Sequence, residues 1–85
     1  MRIQKQPPEV SKQAYKAIKA MDKHIKSRIK KGIEGIPEGD IVPLEGTKDS
    51  YRLRVGNYRI IFNWITDEQI LISKISPRGD VYKGA

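Results

Sequence analysis

The stretch Tyr51–Trp64, YRLRVGNYRIIFNW, decides the fold of this chain. It reads as two strands joined at Gly56-Asn57. Tyr51, Leu53 and Val55, then Tyr58, Ile60, Phe62 and Trp64, alternate onto one apolar face. Glycine first in a two-residue loop suits a type II′ hairpin turn. That turn sets Val55 opposite Tyr58, Leu53 opposite Ile60 and Tyr51 opposite Phe62. The other face carries Arg52, Arg54 and Arg59, with Arg54 directly opposite Arg59. Like charges facing each other across a strand pair are destabilising by about 0.2–1 kcal/mol. Three guanidiniums held together against that repulsion suit an anionic ligand. The plainer alternative is a solvated sheet face, since antiparallel sheets are often wet on one side. Lysines or mixed charges would serve solubility equally well without the repulsion.

Downstream of the hairpin, Thr66-Asp67-Glu68 turns the chain and Gln69–Ile75 forms a further strand. A tight loop there sets Ile65 opposite Ile70, Ile61 opposite Lys74 and Arg59 opposite Ser76. Lys74 then joins the arginine face, while Leu71 and Ile75 join the apolar one. Ser76–Asp80 is a turn, and Val81-Tyr82 lies close to the last residue, Ala85. Upstream, Ile36–Ser50 is a loop rich in glycine, proline and acids, with Leu44 expected to plug into the core. Glu45, six residues before Tyr51, is placed either to accept a proton or to pair with an arginine.

The N-terminal half is helical by its period. Val10, Ala14, Ala17, Ile18 and Met21 recur at three and four, predicting an amphipathic helix over Glu9–Met21 with Pro8 in its first turn. Asp22 is placed to cap a second helix, along which Ile25, Ile29 and Ile33 make one stripe and Gly35 a C-cap. Lys23, Lys26, Arg28, Lys30 and Lys31 surround that stripe. Such a run is either a solvated helix face or a set of contacts to a phosphate backbone. Lys23, Lys26, Lys30, Lys31 and Lys74 are accordingly the candidate nucleic-acid-binding lysines. His24, alone among lysines, reads as a surface residue. MRIQKQ, Met1–Gln6, is a candidate first strand with Ile3 pointing inward. The expected fold is therefore α+β, in the order β-α-α-β-β-β, with a helical hairpin packed on one face of a small, mainly antiparallel sheet.

Eighty-five residues make one domain with a single small core. The chain has no cysteine and one histidine, which removes a disulfide framework and the usual zinc sites; no metal and no cofactor are expected. No apolar run approaches a membrane span and no signal-peptide core opens the chain, so a soluble cytoplasmic protein is expected. Seventeen Lys and Arg against ten Asp and Glu give a formal charge of +7. On a domain this small, that excess favours a polyanionic partner.

Two helices, then LEG (Leu44–Gly46), YRLRVGNYRIIF (Tyr51–Phe62) and SPRGDVY (Ser76–Tyr82), resemble the RelE/ParE superfamily of bacterial toxins over nearly the whole chain. The resemblance implies a toxin of a type II toxin–antitoxin system. Its partner would be a cognate antitoxin whose acidic or apolar segments cover the sheet face. RelE-like members cleave mRNA in the ribosomal A site, surrounded by rRNA; ParE-like members inhibit DNA gyrase without nuclease activity. An inactive RNA-binding relative is a third possibility. In the RelE-like pattern, Arg52, Arg54, Arg59, Arg78 and Tyr82 match the catalytic positions. The first two are lysines in the type member, and arginine, which effectively never deprotonates, cannot serve there as a base.

Metal-independent RNA cleavage uses the 2′-OH as nucleophile on the adjacent phosphate. A proton must leave that hydroxyl, another must reach the 5′-oxygen, and charge on the phosphorane must be stabilised. The arginines suit the last task. By the resemblance, Tyr82 is general base or orienter of the 2′-OH. An unperturbed tyrosine, with pKa near ~10, is ionised in about one molecule in a thousand at neutral pH, and neighbouring cations favour the phenolate. Weak proton-transfer groups of this kind work best where the substrate is already held in an attack geometry.

Overall fold

The turn at Gly56 sets the architecture. In the computed structural model, which describes residues 2–46 and 49–77, Gly56 takes a φ of 57° while Asn57 does not enter the positive-φ region. A type I′ turn needs both central residues there, so the turn is type II′. The elements run β1 (Glu9–Val10), α1 (Lys12–Lys19), α2 (Lys23–Glu34), β2 (Asp40–Pro43), β3 (Ser50–Val55), β4 (Tyr58–Thr66) and β5 (Gln69–Pro77). They build one sheet in the order β1-β5-β4-β3-β2, antiparallel except for the β1–β5 pair. The α+β class and the expected order hold, with β2 as one strand more. No helix among the described residues is long and apolar enough to cross a membrane.

The hairpin register is the one its turn demands: Val55 faces Tyr58, Arg54 faces Arg59, Leu53 faces Ile60 and Tyr51 faces Phe62. The β4–β5 pairing departs from expectation in its middle. Ile61 faces Lys74 and Arg59 faces Ser76, as expected, but Trp64, not Ile65, faces Ile70. Ile65 on β4 and Ser73 on β5 have no opposite residue, and these two irregularities lie on opposite strands, so their offsets cancel. Between them the alternation is shifted by one residue. Ile70 and Ile72 are therefore fully buried and Leu71 turns to the other face, contrary to expectation, before Ile75 returns to the core.

The N-terminal segment also differs. Met1 lies outside the described residues, and Arg2–Gln6 is no strand but a strap across the β4–β5 turn. Ile3 donates its N–H to the Asp67 carbonyl and Lys5 to that of Glu68, and the Ile3 side chain is exposed. Gln4 donates from Nε2 to the carbonyls of Ile33 and Ile36, at 2.7 and 3.0 Å, tying the strap to the end of α2. The first helix begins at Lys12, not Glu9. Ser11 is its cap: Oγ accepts from the Ala14 N–H at 3.1 Å and donates to the Ser73 carbonyl at 2.8 Å. Fixing Ser11 in extended backbone lets Glu9 and Val10 pair with β5. Asp22 caps α2 by accepting from the Ile25 N–H, and Gly35 is its C-cap as expected, although in a right-handed conformation. Leu44 is only half-buried, just past β2, and its N–H donates to the Ser50 carbonyl.

The core lies between the helices and the apolar sheet face. Ala14 of α1 and Ile29 and Ile33 of α2 are buried with Leu53, Ile60 and Phe62 beneath them. Tyr51 stacks on Phe62 with ring centroids 5.6 Å apart. α2 comes so close to β3 that a Cβ on Gly32 would sit 2.5 Å from Val55 Cγ2. Gly32→Ala therefore lowers the melting midpoint. Alanine recovers about 0.8–1.0 kcal/mol of helix propensity, but overpacking against a β-branched side chain costs about 1–3 kcal/mol. Thermal denaturation followed by circular dichroism checks this; a raised midpoint would mean that Val55 turns aside without strain.

Candidate functional site

The alternation that buries Leu53 and Ile60 sends Arg52, Arg54 and Arg59 to the face away from the helices. The registers of four strands line these residues up. Asp40, Arg54, Arg59 and Ser76 form one row across β2, β3, β4 and β5, and Val42, Arg52, Ile61 and Lys74 form the next. The two rows hold four cations and one carboxylate. The strands hold their Cα atoms, so assembling this charge requires little further ordering of backbone.

Asp40 was not among the residues expected here. Its segment reads as loop, because four residues containing an aspartate and a proline carry little strand propensity. The clue available was position: proline is tolerated on an edge strand, and β2 is the edge beside β3. Asp40 Oδ1 lies 3.6 Å from Arg52 Nη2, and Oδ2 lies 4.0 Å from Arg54 Nε. Both separations are ion pairs beyond hydrogen-bond length. The Arg52 side chain is only 12% exposed and that of Arg54 34%, against 55% for Asp40. The Nε atoms of Arg52 and Arg54 are buried and have no hydrogen-bond acceptor. Glu45, the acid expected to reach the sheet, is exposed in the turn after β2. The ion pairs recorded for Arg52 and Arg54 are both with Asp40.

The candidate RNA-binding lysines separate into two groups. Lys74 stands in the second row beside Ile61 and so shares the arginine face. Lys23, Lys26, Lys30 and Lys31 belong to α2, on the other side of the sheet. An apolar groove of about 760 Å³ runs there between the N-terminal strap and the helices, with Ile18, Ile29 and Ile33 in its wall and Lys26 and Lys30 at its rim. Lys5 and Glu34 line it as well, while Arg52, Arg54 and Arg59, the candidate catalytic residues among those described, stand on the opposite face of the sheet. Arg78 and Tyr82, the two remaining catalytic candidates, lie outside the described residues.

Residues 8–82 match the family described as ParE toxin of type II toxin–antitoxin system, parDE. The chain belongs to the RelE/ParE toxin superfamily. No curated protein matches its sequence significantly. Among solved structures, a chain of the RelE–RelB complex from the archaeon Pyrococcus horikoshii is 34% identical. It superposes with a TM-score of 0.66, covering 93% of this chain and 98% of that one. A chain of the RelB–RelE antitoxin–toxin complex from Methanococcus jannaschii is 28% identical, with a TM-score of 0.72 over 89% of this chain and 96% of that one. This RelE/ParE toxin thus matches a ParE family by sequence profile and RelE complexes by structure.

Proposed function

We propose that this toxin is a ribosome-dependent endoribonuclease that cleaves mRNA and so inhibits translation. The observation that carries this reading is the pair of adjacent rows bringing Arg52, Arg54, Arg59 and Lys74 onto the one sheet face that points away from the helices. The 2′-oxygen attacks the adjacent phosphorus while its proton is removed, the P–O5′ bond breaks, and the 5′-oxygen is protonated. The products are a 2′,3′-cyclic phosphate and a free 5′-hydroxyl. Because the nucleophile belongs to the RNA itself, the protein's tasks are to position it, move two protons and stabilise charge. Arg54 and Arg59, directly opposed on β3 and β4, suit the two non-bridging oxygens of the phosphorane. Tyr82 takes the role of base or orienter of the 2′-OH and Arg78 adds positive charge; Glu45 is the other proton acceptor. The mRNA in the ribosomal A site, held in an attack geometry by the rRNA around it, is the substrate that suits such modest proton-transfer groups.

A cognate antitoxin is the second partner, supported by the complexes in which both structural relatives occur. The profile match to ParE toxins favours a second reading, in which the same basic face serves to inhibit DNA gyrase and cuts nothing. Primer extension on a reporter mRNA separates the two. Cuts that appear with programmed ribosomes and not on free mRNA support the nuclease. Intact mRNA under both conditions, together with inhibited supercoiling by gyrase, transfers the site to the second reading.

A further inference from the structure

We propose that Asp40 is a tethered counterion, standing against Arg52 and Arg54 where an RNA phosphate will lie and displaced when that phosphate arrives. The inference rests on the arginine face being an RNA site. Three observations carry it. The carboxylate sits 3.6 and 4.0 Å from the two guanidiniums, close enough to attract and too far to hydrogen-bond. The buried Nε donors of Arg52 and Arg54 have no acceptor beside it, although a buried N–H ordinarily has one. Finally, Asp40 is the most exposed of the three and sits on the edge strand, so it can turn to water at little cost.

A phosphate does what this carboxylate does not. Its non-bridging oxygens can approach both guanidiniums at hydrogen-bond distance, accepting from Nη and, once Asp40 has turned away, from Nε. In the free protein Asp40 offsets part of the repulsion among the cations and lowers their attraction for polyanions in general. Only a phosphate held in place by the rest of its chain competes well, which favours positioned RNA over RNA met in passing.

The test is fluorescence anisotropy with a short labelled single-stranded RNA, using the full chain and its Asp40→Asn, Asp40→Glu and Arg54→Ala variants. Asp40→Asn binds about three- to tenfold more tightly, as the loss of two partly exposed ion pairs to a competing anion implies. Its log–log dependence of affinity on salt steepens by up to about 0.7, one more phosphate being effectively neutralised. Asp40→Glu, which keeps the charge, stays within about twofold of the parent, and Arg54→Ala binds more weakly. Unchanged or weakened binding by Asp40→Asn, with Arg54→Ala weakened, overturns the counterion and leaves the RNA site standing. Unchanged binding by Arg54→Ala overturns both.

Discussion

Arg59→Ala lowers the proposed ribosome-dependent mRNA cleavage by about 10²–10³-fold, the usual loss when one well-aimed donor to a developing oxyanion is removed. Arg59 faces Arg54 across the strand pair and shares its row with Asp40, which suits both guanidiniums to one phosphate in the proposed reaction. Its side chain points away from the core beneath Ile60 and Phe62, and the melting midpoint stays within a few degrees of wild type. Arg59→Lys restores only part of the rate, because a compact ammonium keeps the charge without the planar pair of donors. Single-turnover primer extension on programmed ribosomes measures both variants. Undiminished cleavage by folded Arg59→Ala would remove the arginine face from the chemistry.

Phe62→Ala, three residues along the same strand, abolishes activity by a different route. Phe62 is 1% exposed and stacks on Tyr51 at the centre of the core. Truncating a buried phenylalanine costs about 3–5 kcal/mol in lost transfer energy and cavity. A domain of this size has a total stability of roughly 4–13 kcal/mol, at about 0.05–0.15 kcal/mol per residue. The variant therefore melts at least ~12 °C lower or shows no cooperative transition, taking about 4 °C per kcal/mol as the smaller end of the scale. Circular dichroism melts check this, and a shift below ~5 °C would mean that the core refills the cavity. Two substitutions on β4, one on each face, thus fail for opposite reasons: one stays folded and inactive, the other unfolds.

The hairpin was legible in the sequence because everything that specifies it is local. Glycine at position 56 fixes the turn, the turn fixes the register, and period-two alternation fixes the faces. The features that were not legible depend on partners distant along the chain. Val10 fits a helical stripe as well as a strand, and the choice is made by Ser11, whose hydroxyl binds both the Ala14 N–H and the Ser73 carbonyl. β2 exists because β3 is there to pair with it, and its own four residues promise little. The exchange of Leu71 for Ile72 in the core follows from two mutually cancelling irregularities, which leave the ends of the strand pair in the expected register. For the site, the three arginines could be placed by alternation, and Lys74 by the register that a tight β4–β5 turn sets opposite Ile61. Asp40 could not, since a residue read as loop has no assigned face. The α2 lysines carried charge but no directional information, and the sheet separates them from the arginines.

The pairing of β1 with β5 joins Glu9 to Leu71 and Val10 to Ile72, so the start of the chain waits for its end. The Ser11 hydroxyl likewise finds its acceptor only at Ser73. During synthesis the helices and the hairpin emerge with their apolar faces incompletely covered, and long-range closure of this kind is intrinsically slow. A newly made molecule therefore passes through an interval in which its arginines are already translated but its sheet is unfinished. For a protein proposed to attack translating ribosomes, that delay separates the ribosome that makes the chain from those the finished chain can reach.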